Sequence, residues 1–125
     1  MNSYIAKILV IDDEPSFGRI VTAILSSMGY CLHTVSDAAQ ALRKLEDETF
    51  DLVLTDLNLP GLRGDELAQE MRNRGIDCPI VLMTGMELRR HPKHISAILP
   101  KPFSVPDLSN VVNSALEENC ALAAA

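Results

Sequence analysis

The chain has 125 residues, enough to bury a substantial single core without disulfides or metals to staple it. Apolar residues make up 47%, charged residues 22% and aromatics only 4%, with no Trp, so aliphatic side chains must build the core. The net charge of -6, from 11 basic and 17 acidic residues, argues against a nucleic-acid or anionic-membrane surface.

Ile5 to Ile11 reads as a short apolar strand running into Asp12-Asp13-Glu14-Pro15. Proline is tolerated in the first turn of a helix, and acidic residues are favoured there because they face unpaired N–H groups. The helix that follows carries Phe17, Ile20, Val21, Ile24, Leu25 and Met28 at three- and four-residue spacing, with Gly29 as its stop. Tyr30 to Val35 is a second strand, after which Ser36 or Asp37 caps a helix bearing Ala38, Ala41, Leu42 and Leu45 on one face. Phe50 to Asp56 is a third strand, mostly buried, which delivers the Asp56 carboxylate directly before a Leu57-Asn58-Leu59-Pro60-Gly61 turn. A helix with Leu67, Ala68 and Met71 then stops near Gly75. Pro79 introduces the fourth strand, Ile80 to Thr84, which Gly85 closes.

Met86 to His94 has little apolar periodicity and is interrupted by Pro92; a short or irregular, mobile helix is expected there. Ile95 to Leu99 is the fifth strand, followed by Lys101-Pro102-Phe103. Ser104 with Asp107 three residues on resembles a capping box, and the last helix carries Val105, Leu108, Val111, Val112, Ala115 and Leu116. Residues 1–120 read as one domain and 121–125 as a short disordered tail.

Strands alternating with helices imply a parallel sheet buried on both faces, which explains runs of aliphatics without alternation. Ligands of such α/β sheets lie beyond the carboxyl ends of the strands. On that edge the sequence places Asp12 and Asp13 after strand one, Asp56 after strand three, Thr84 after strand four and Lys101 after strand five. Three converging carboxylates repel one another unless a hard divalent cation joins them, and oxygen ligands suit magnesium. A carboxylate, a cation, a lysine and a hydroxyl together match what a transferred phosphoryl group needs. Each residue also has a plainer reading: Asp56 as a turn residue, Asp12 and Asp13 as a helix cap, Thr84 bonded to backbone, Lys101 solvated. Their coincidence on one sheet edge is what carries the chemistry.

With these residues in hand, the chain from about Lys7 to Asn119 resembles the response regulator receiver domains of two-component signalling, the CheY-like superfamily. The resemblance implies a three-layer α/β/α fold of (βα)5 type, with flavodoxin-like strand order 2-1-3-4-5. It implies Asp56 as phosphoacceptor, fed by a phosphohistidine on a sensor histidine kinase or histidine phosphotransfer protein. Mg²⁺, replaceable by Mn²⁺, would be held by Asp13 directly, Asp12 mainly through water, Asp56, and the backbone carbonyl of Asn58. Thr84 would be the switch hydroxyl, Lys101 would pair with the phosphoryl group, and the Lys101–Pro102 bond would be cis. Slow autodephosphorylation, a cytoplasmic location and, where the domain dimerises, a face made by the last two helical segments follow from the same resemblance. Phosphorylation would control a partner or an output domain that this chain lacks. One departure matters: family members usually carry Tyr or Phe where this chain has Ile98, so the switch is expected to be read differently there. Arg63 is also uncommon in its turn and reads best as a solvated turn residue.

Two rival classes are a non-phosphorylated receiver-like interaction module, favoured only by Ile98, and a small Mg²⁺-dependent phosphatase with an aspartyl nucleophile. The second needs an acid two residues after the nucleophile, where Asn58 stands and cannot serve. The basic run of Arg89, Arg90, His91, Lys93 and His94 is short for a DNA contact and lacks a third ligand for a metal, so it reads as a solvated face. Cys31, Cys78 and Cys120 have no metal-type spacing and read as reduced thiols. The longest apolar runs fall far short of the roughly 20 residues that span a bilayer.

Overall fold

The aliphatic runs pair into one parallel sheet. The computed structural model describes residues 5–124, with side chains over 5–117. The strands are β1 (Lys7–Ile11), β2 (Cys31–Val35), β3 (Leu52–Asp56), β4 (Ile80–Thr84) and β5 (Ala97–Pro100). They lie in the order β2-β1-β3-β4-β5, with every neighbouring pair parallel. The helices among the described residues are α1 (Pro15–Ser27), α2 (Ala38–Asp47), α3 (Gly64–Asn73) and α4 (Val105–Ala124).

Successive side chains of a strand face opposite ways, so each strand feeds two cores. Leu9, Ile11, Val53, Ile80 and Leu82 meet Ala41, Leu45, Leu67 and Met71 of α2 and α3 on one face. Ile8, Val10, Leu52, Leu54, Val81 and Met83 meet Val21, Leu25, Leu108 and Val112 of α1 and α4 on the other. Both central strands β3 and β4 are buried along their whole length, whereas edge strand β2 is half open. This is the three-layer α/β/α arrangement.

Local chemistry fixes the helix ends. Pro15 opens α1, and the Asp37 carboxylate accepts the Gln40 N–H at 2.8 Å, which makes Asp37 the cap of α2. Gly29, at φ +95°, lets the chain leave α1 in a left-handed conformation that other residues resist. Ser104 and Asp107 bond reciprocally at 3.1 Å in both directions, the capping box expected for the last helix. No helix among the described residues is long and apolar enough to cross a membrane.

Several boundaries differ from the sequence reading. Between β4 and β5 there is no helix, so the described fold lacks one of the five helices of a (βα)5 repeat. Gly85 and Pro92 frame the segment, the Thr84 hydroxyl claims the Met86 N–H, and only Leu88 offers an apolar side chain to the core. Side chains on carbonyls tie the end of the segment to the turn before β4 instead. Arg72 donates to Ile76 O at 2.6 Å, Cys78 O at 3.0 Å and His94 O at 3.4 Å, and the His91 ring lies 2.5 Å from Ile95 O. Strand β5 begins at Ala97, two residues later than expected, with Ile95 buried ahead of it. Ile20, Met28 and Val105 are exposed, because the buried row of α1 runs through Gly18, Val21 and Leu25 and that of α4 begins at Leu108. Helix α4 runs to Ala124, through the stretch read as a tail, while Ala125 and the side chain of Cys120 lie outside the described residues.

Candidate functional site

Asp12 directly follows β1 and Asp56 ends β3, two strands that pair in register, so both carboxylates emerge side by side at the carboxyl edge. Carboxylate oxygens of Asp12, Asp13 and Asp56 all lie within 4.8 Å of one another. Asp12 and Asp56 are buried, and Asp13 is exposed at the rim. Lys101, one residue past β5, donates to Asp56 Oδ2 at 3.2 Å and stands 3.8 Å from Asp12 Oδ2. The second distance is a charge contact without a hydrogen bond.

Asp12 is the least satisfied member of this group. Its Oδ1 accepts the Glu14 N–H at 2.8 Å, whereas Oδ2 is buried with no hydrogen-bond partner among the described residues. Burial pushes the Asp12 carboxyl above its usual value; the Glu14 N–H and Lys101 pull against that rise, and the Asp56 and Asp13 charges add to it. A buried anionic oxygen without a donor, converging with two further carboxylates, is the environment that a hard cation relieves. The donor set therefore fits an oxygen-liganded divalent ion.

Gly64 explains how the Asp56 end of β3 is held. A Cβ at that position would stand 2.5 Å from the Asp56 carbonyl oxygen and 2.7 Å from Leu82 Cδ1. Only glycine lets α3 start this close to β3, and its N–H donates to Leu57 O at 2.8 Å. In the turn between, Asn58 is exposed. The Arg63 guanidinium pairs with Asp65 at 3.2 Å, within its own helix start.

Thr84 lies at the end of β4, buried, with Lys101 N–H donating to its carbonyl at 2.8 Å. Its hydroxyl accepts the Met86 N–H at 3.0 Å, so the β4 end is tied to the start of the following segment. The Lys101–Pro102 peptide bond is cis. Ile98 pairs in register with Leu82 and packs, partly buried, on the α2/α3 core. The basic residues Arg89, Arg90, Lys93 and His94 are exposed on the segment before β5.

Two contributors were not legible as site residues in the sequence. Gly64 was hidden inside a Pro-Gly-x-x-Gly turn whose second glycine could have flagged a close backbone approach. Phe17 was assigned only to the apolar stripe of its helix, yet its ring lies under Lys101, with Nζ 4.2 Å from the ring centroid. A hollow of about 600 Å³ between α1 and β2 reaches this cluster only through Asp12. The chemistry lies in the charged cluster, where the strand ends converge.

Residues 8–113 match the response regulator receiver domain family. The sensor histidine kinase RcsC of Salmonella typhi is 32% identical over 110 residues, covering 84% of this chain and 12% of that protein. The regulatory protein VanRB of Enterococcus faecalis is 30% identical over 122 residues, covering 94% of this chain and 55% of that protein. The chain thus spans a small part of the first relative and about half of the second. Among solved structures, the signal receiver domain of an HD domain-containing protein from Pseudomonas fluorescens superposes with a TM-score of 0.89 at 25% identity, covering 97% of this chain and 93% of that one. The family match runs from inside β1 into α4 and takes in every residue of the charged cluster, and the chain belongs to the response regulator receiver domains.

Proposed function

We propose that this receiver domain takes a phosphoryl group onto Asp56 from a phosphohistidine on a sensor kinase or a phosphotransfer protein. The observation that carries the reading is the pairing of Asp56 with Lys101 at 3.2 Å inside a cluster of three carboxylates. An Asp56 oxygen forms the bond to phosphorus and the phosphorus–nitrogen bond of the donor breaks; the donor ring, protonated on its other nitrogen, leaves as neutral imidazole. Asp12, Asp13 and Asp56, with the Asn58 carbonyl, would hold Mg²⁺ or Mn²⁺, which when bound supplies positive charge opposite the phosphoryl oxygens. Lys101 would trade its carboxylate contact for a phosphoryl oxygen. The Thr84 hydroxyl would exchange the Met86 N–H for the same group, which releases one tie on the segment between β4 and β5. Phosphorylation adds roughly -1 to -2 of charge at this edge. The resulting population shift is what a partner or output domain would read. A homodimer built on this face would use α4 and a non-helical segment.

The test is incubation with Mg²⁺ and acetyl phosphate or beryllofluoride, followed by mass and spectroscopic readout. One modified aspartate in the parent, absent from Asp56→Asn, is expected. No modification of the parent, or labelling that persists in Asp56→Asn, overturns the reading.

A further inference from the structure

We propose that Phe17 is a positioning residue for phosphoryl transfer, holding the Lys101 ammonium over the acid pocket through the face of its ring. The inference rests on the phosphoacceptor reading above. A lysine at a sheet edge is a point charge on a flexible four-carbon stem, and water competes for it. Among the described residues Lys101 makes one side-chain hydrogen bond, to Asp56, and its side chain is 23% exposed. The Phe17 ring closes the open side: its centroid is 4.2 Å from Nζ, well inside the range at which a ring attracts a cation.

The ring is itself fixed. Phe103, two residues beyond Lys101, meets it edge to face, with centroids 5.6 Å apart and planes at 75°. Phe17 and Phe103 both pack against the α1/α4 core. The same turn that delivers the lysine therefore grips the ring that holds it.

A ring suits this task better than a third carboxylate. It attracts the ammonium without neutralising it and offers no oxygen to compete with the phosphoryl group. The Asp56 oxygen that becomes bonded to phosphorus changes its contact with Lys101, and Asp12 has a cation to serve. The ring contact can persist unchanged from resting state to product. Its effect belongs on the rate of transfer, through Lys101, and not on metal affinity.

The experiment is the initial rate of Asp56 labelling by acetyl phosphate at saturating Mg²⁺, in the full chain. Phe17→Leu and Phe17→Met, which keep apolar bulk without a ring, are expected to slow labelling about three- to tenfold, the factor a partly desolvated cation–π contact amounts to. Phe17→Tyr is expected to hold the parent rate, and half-saturation by Mg²⁺ to stay within about twofold in all three variants. In a Lys101→Met background, Phe17→Leu should slow labelling no further, because the ring acts through the ammonium. Parent-like rates in Phe17→Met, or an equal slowing with and without Lys101, overturn the inference and leave the phosphoacceptor reading standing. A parent that is not labelled at all overturns both.

Discussion

Replacing Gly64 with alanine separates two opposing effects that the structure sizes. Alanine is the better helix former by about 1 kcal/mol, so an unobstructed site would gain stability. The new Cβ would stand 2.5 Å from the Asp56 carbonyl oxygen, about 0.9 Å inside the 3.4 Å at which ordinary contacts begin, and 2.7 Å from Leu82 Cδ1. Leu82 can yield by changing rotamer, but the Asp56 carbonyl belongs to the backbone of a fully buried central strand. Relief must come from sliding α3 away, which stretches the 2.8 Å bond from Gly64 N–H to Leu57 O. Overpacking of this kind costs about 1–3 kcal/mol, and the weakened hydrogen bond about 1 more. The net expectation is a loss of about 1–3 kcal/mol, or a fall in Tm of about 3–15 °C for a domain of this size. Urea and thermal unfolding measure it, with Mg²⁺ titration as a second readout, because the displaced residue carries a candidate ligand. Gly61→Ala is the control: its φ is +83° with nothing within 4 Å, so only backbone strain of about 1–2 kcal/mol applies and metal binding stays intact. A Gly64→Ala protein as stable as the parent, with unchanged Mg²⁺ affinity, would refute the close approach of α3 to β3.

Three further outcomes follow from the same geometry. Without divalent ions, Asp12→Asn should raise Tm by about 2–5 °C, because the amide keeps an acceptor for the Glu14 N–H and removes a buried charge. The sign follows from the raised Asp12 pKa: the folded state holds that proton more tightly, so parent stability declines as pH rises from about 3.8 through the folded value. Asp12→Asn should lack that decline, and pH-dependent melts compare the two. Beryllofluoride with Mg²⁺ should move the Thr84 and Met86 amide resonances while Ala97 to Leu99 change little, since Ile98 is already packed inward; large shifts along β5 would sink this. Cys78, buried and with its thiol pushed up to about 11, should resist an aromatic disulfide reagent in the folded protein, whereas Cys31 reacts. With Cys120 replaced by Ser in both proteins, equal rates in Cys31→Ser and Cys78→Ser variants would contradict that burial.

The sequence made the sheet legible because aliphatic runs of strand length, separated by turn signals, have few alternatives in a chain this size. Asp12, Asp56, Thr84 and Lys101 became readable together once their strands were known to run parallel, since parallel strands bring their carboxyl ends to one edge. What stayed hidden depends on contacts through space. Nothing local in Phe17 distinguishes a core residue from a ring beneath a lysine far along the chain. Gly64 gives no sign of which backbone it lies against. The helix expected at 86–94 failed for a local reason that composition had hinted at: too few apolar residues to make its packing worth more than the contacts Thr84, His91 and Arg72 offer its backbone. Ile20 and Val105 were misread because three- and four-residue spacing marks a stripe wider than the face that actually packs.

The missing helix changes what binding at that face demands. An α-helix arrives with its peptide groups already paired, so a partner need only match side chains. The stretch from Met86 to His94 has no such ladder: Thr84 holds the Met86 N–H and Arg72 the His94 carbonyl, and between them the largely exposed backbone relies on hydration. Any surface that covers it must replace that hydration group by group or wind the stretch into a helix, and fixing each residue costs about 1–2 kcal/mol. Association there would carry the calorimetric signature of ordering, a favourable enthalpy set against an entropy loss larger than rigid docking gives. Amides from Glu87 to His94 would exchange with solvent freely in the unbound domain and slow sharply on capture.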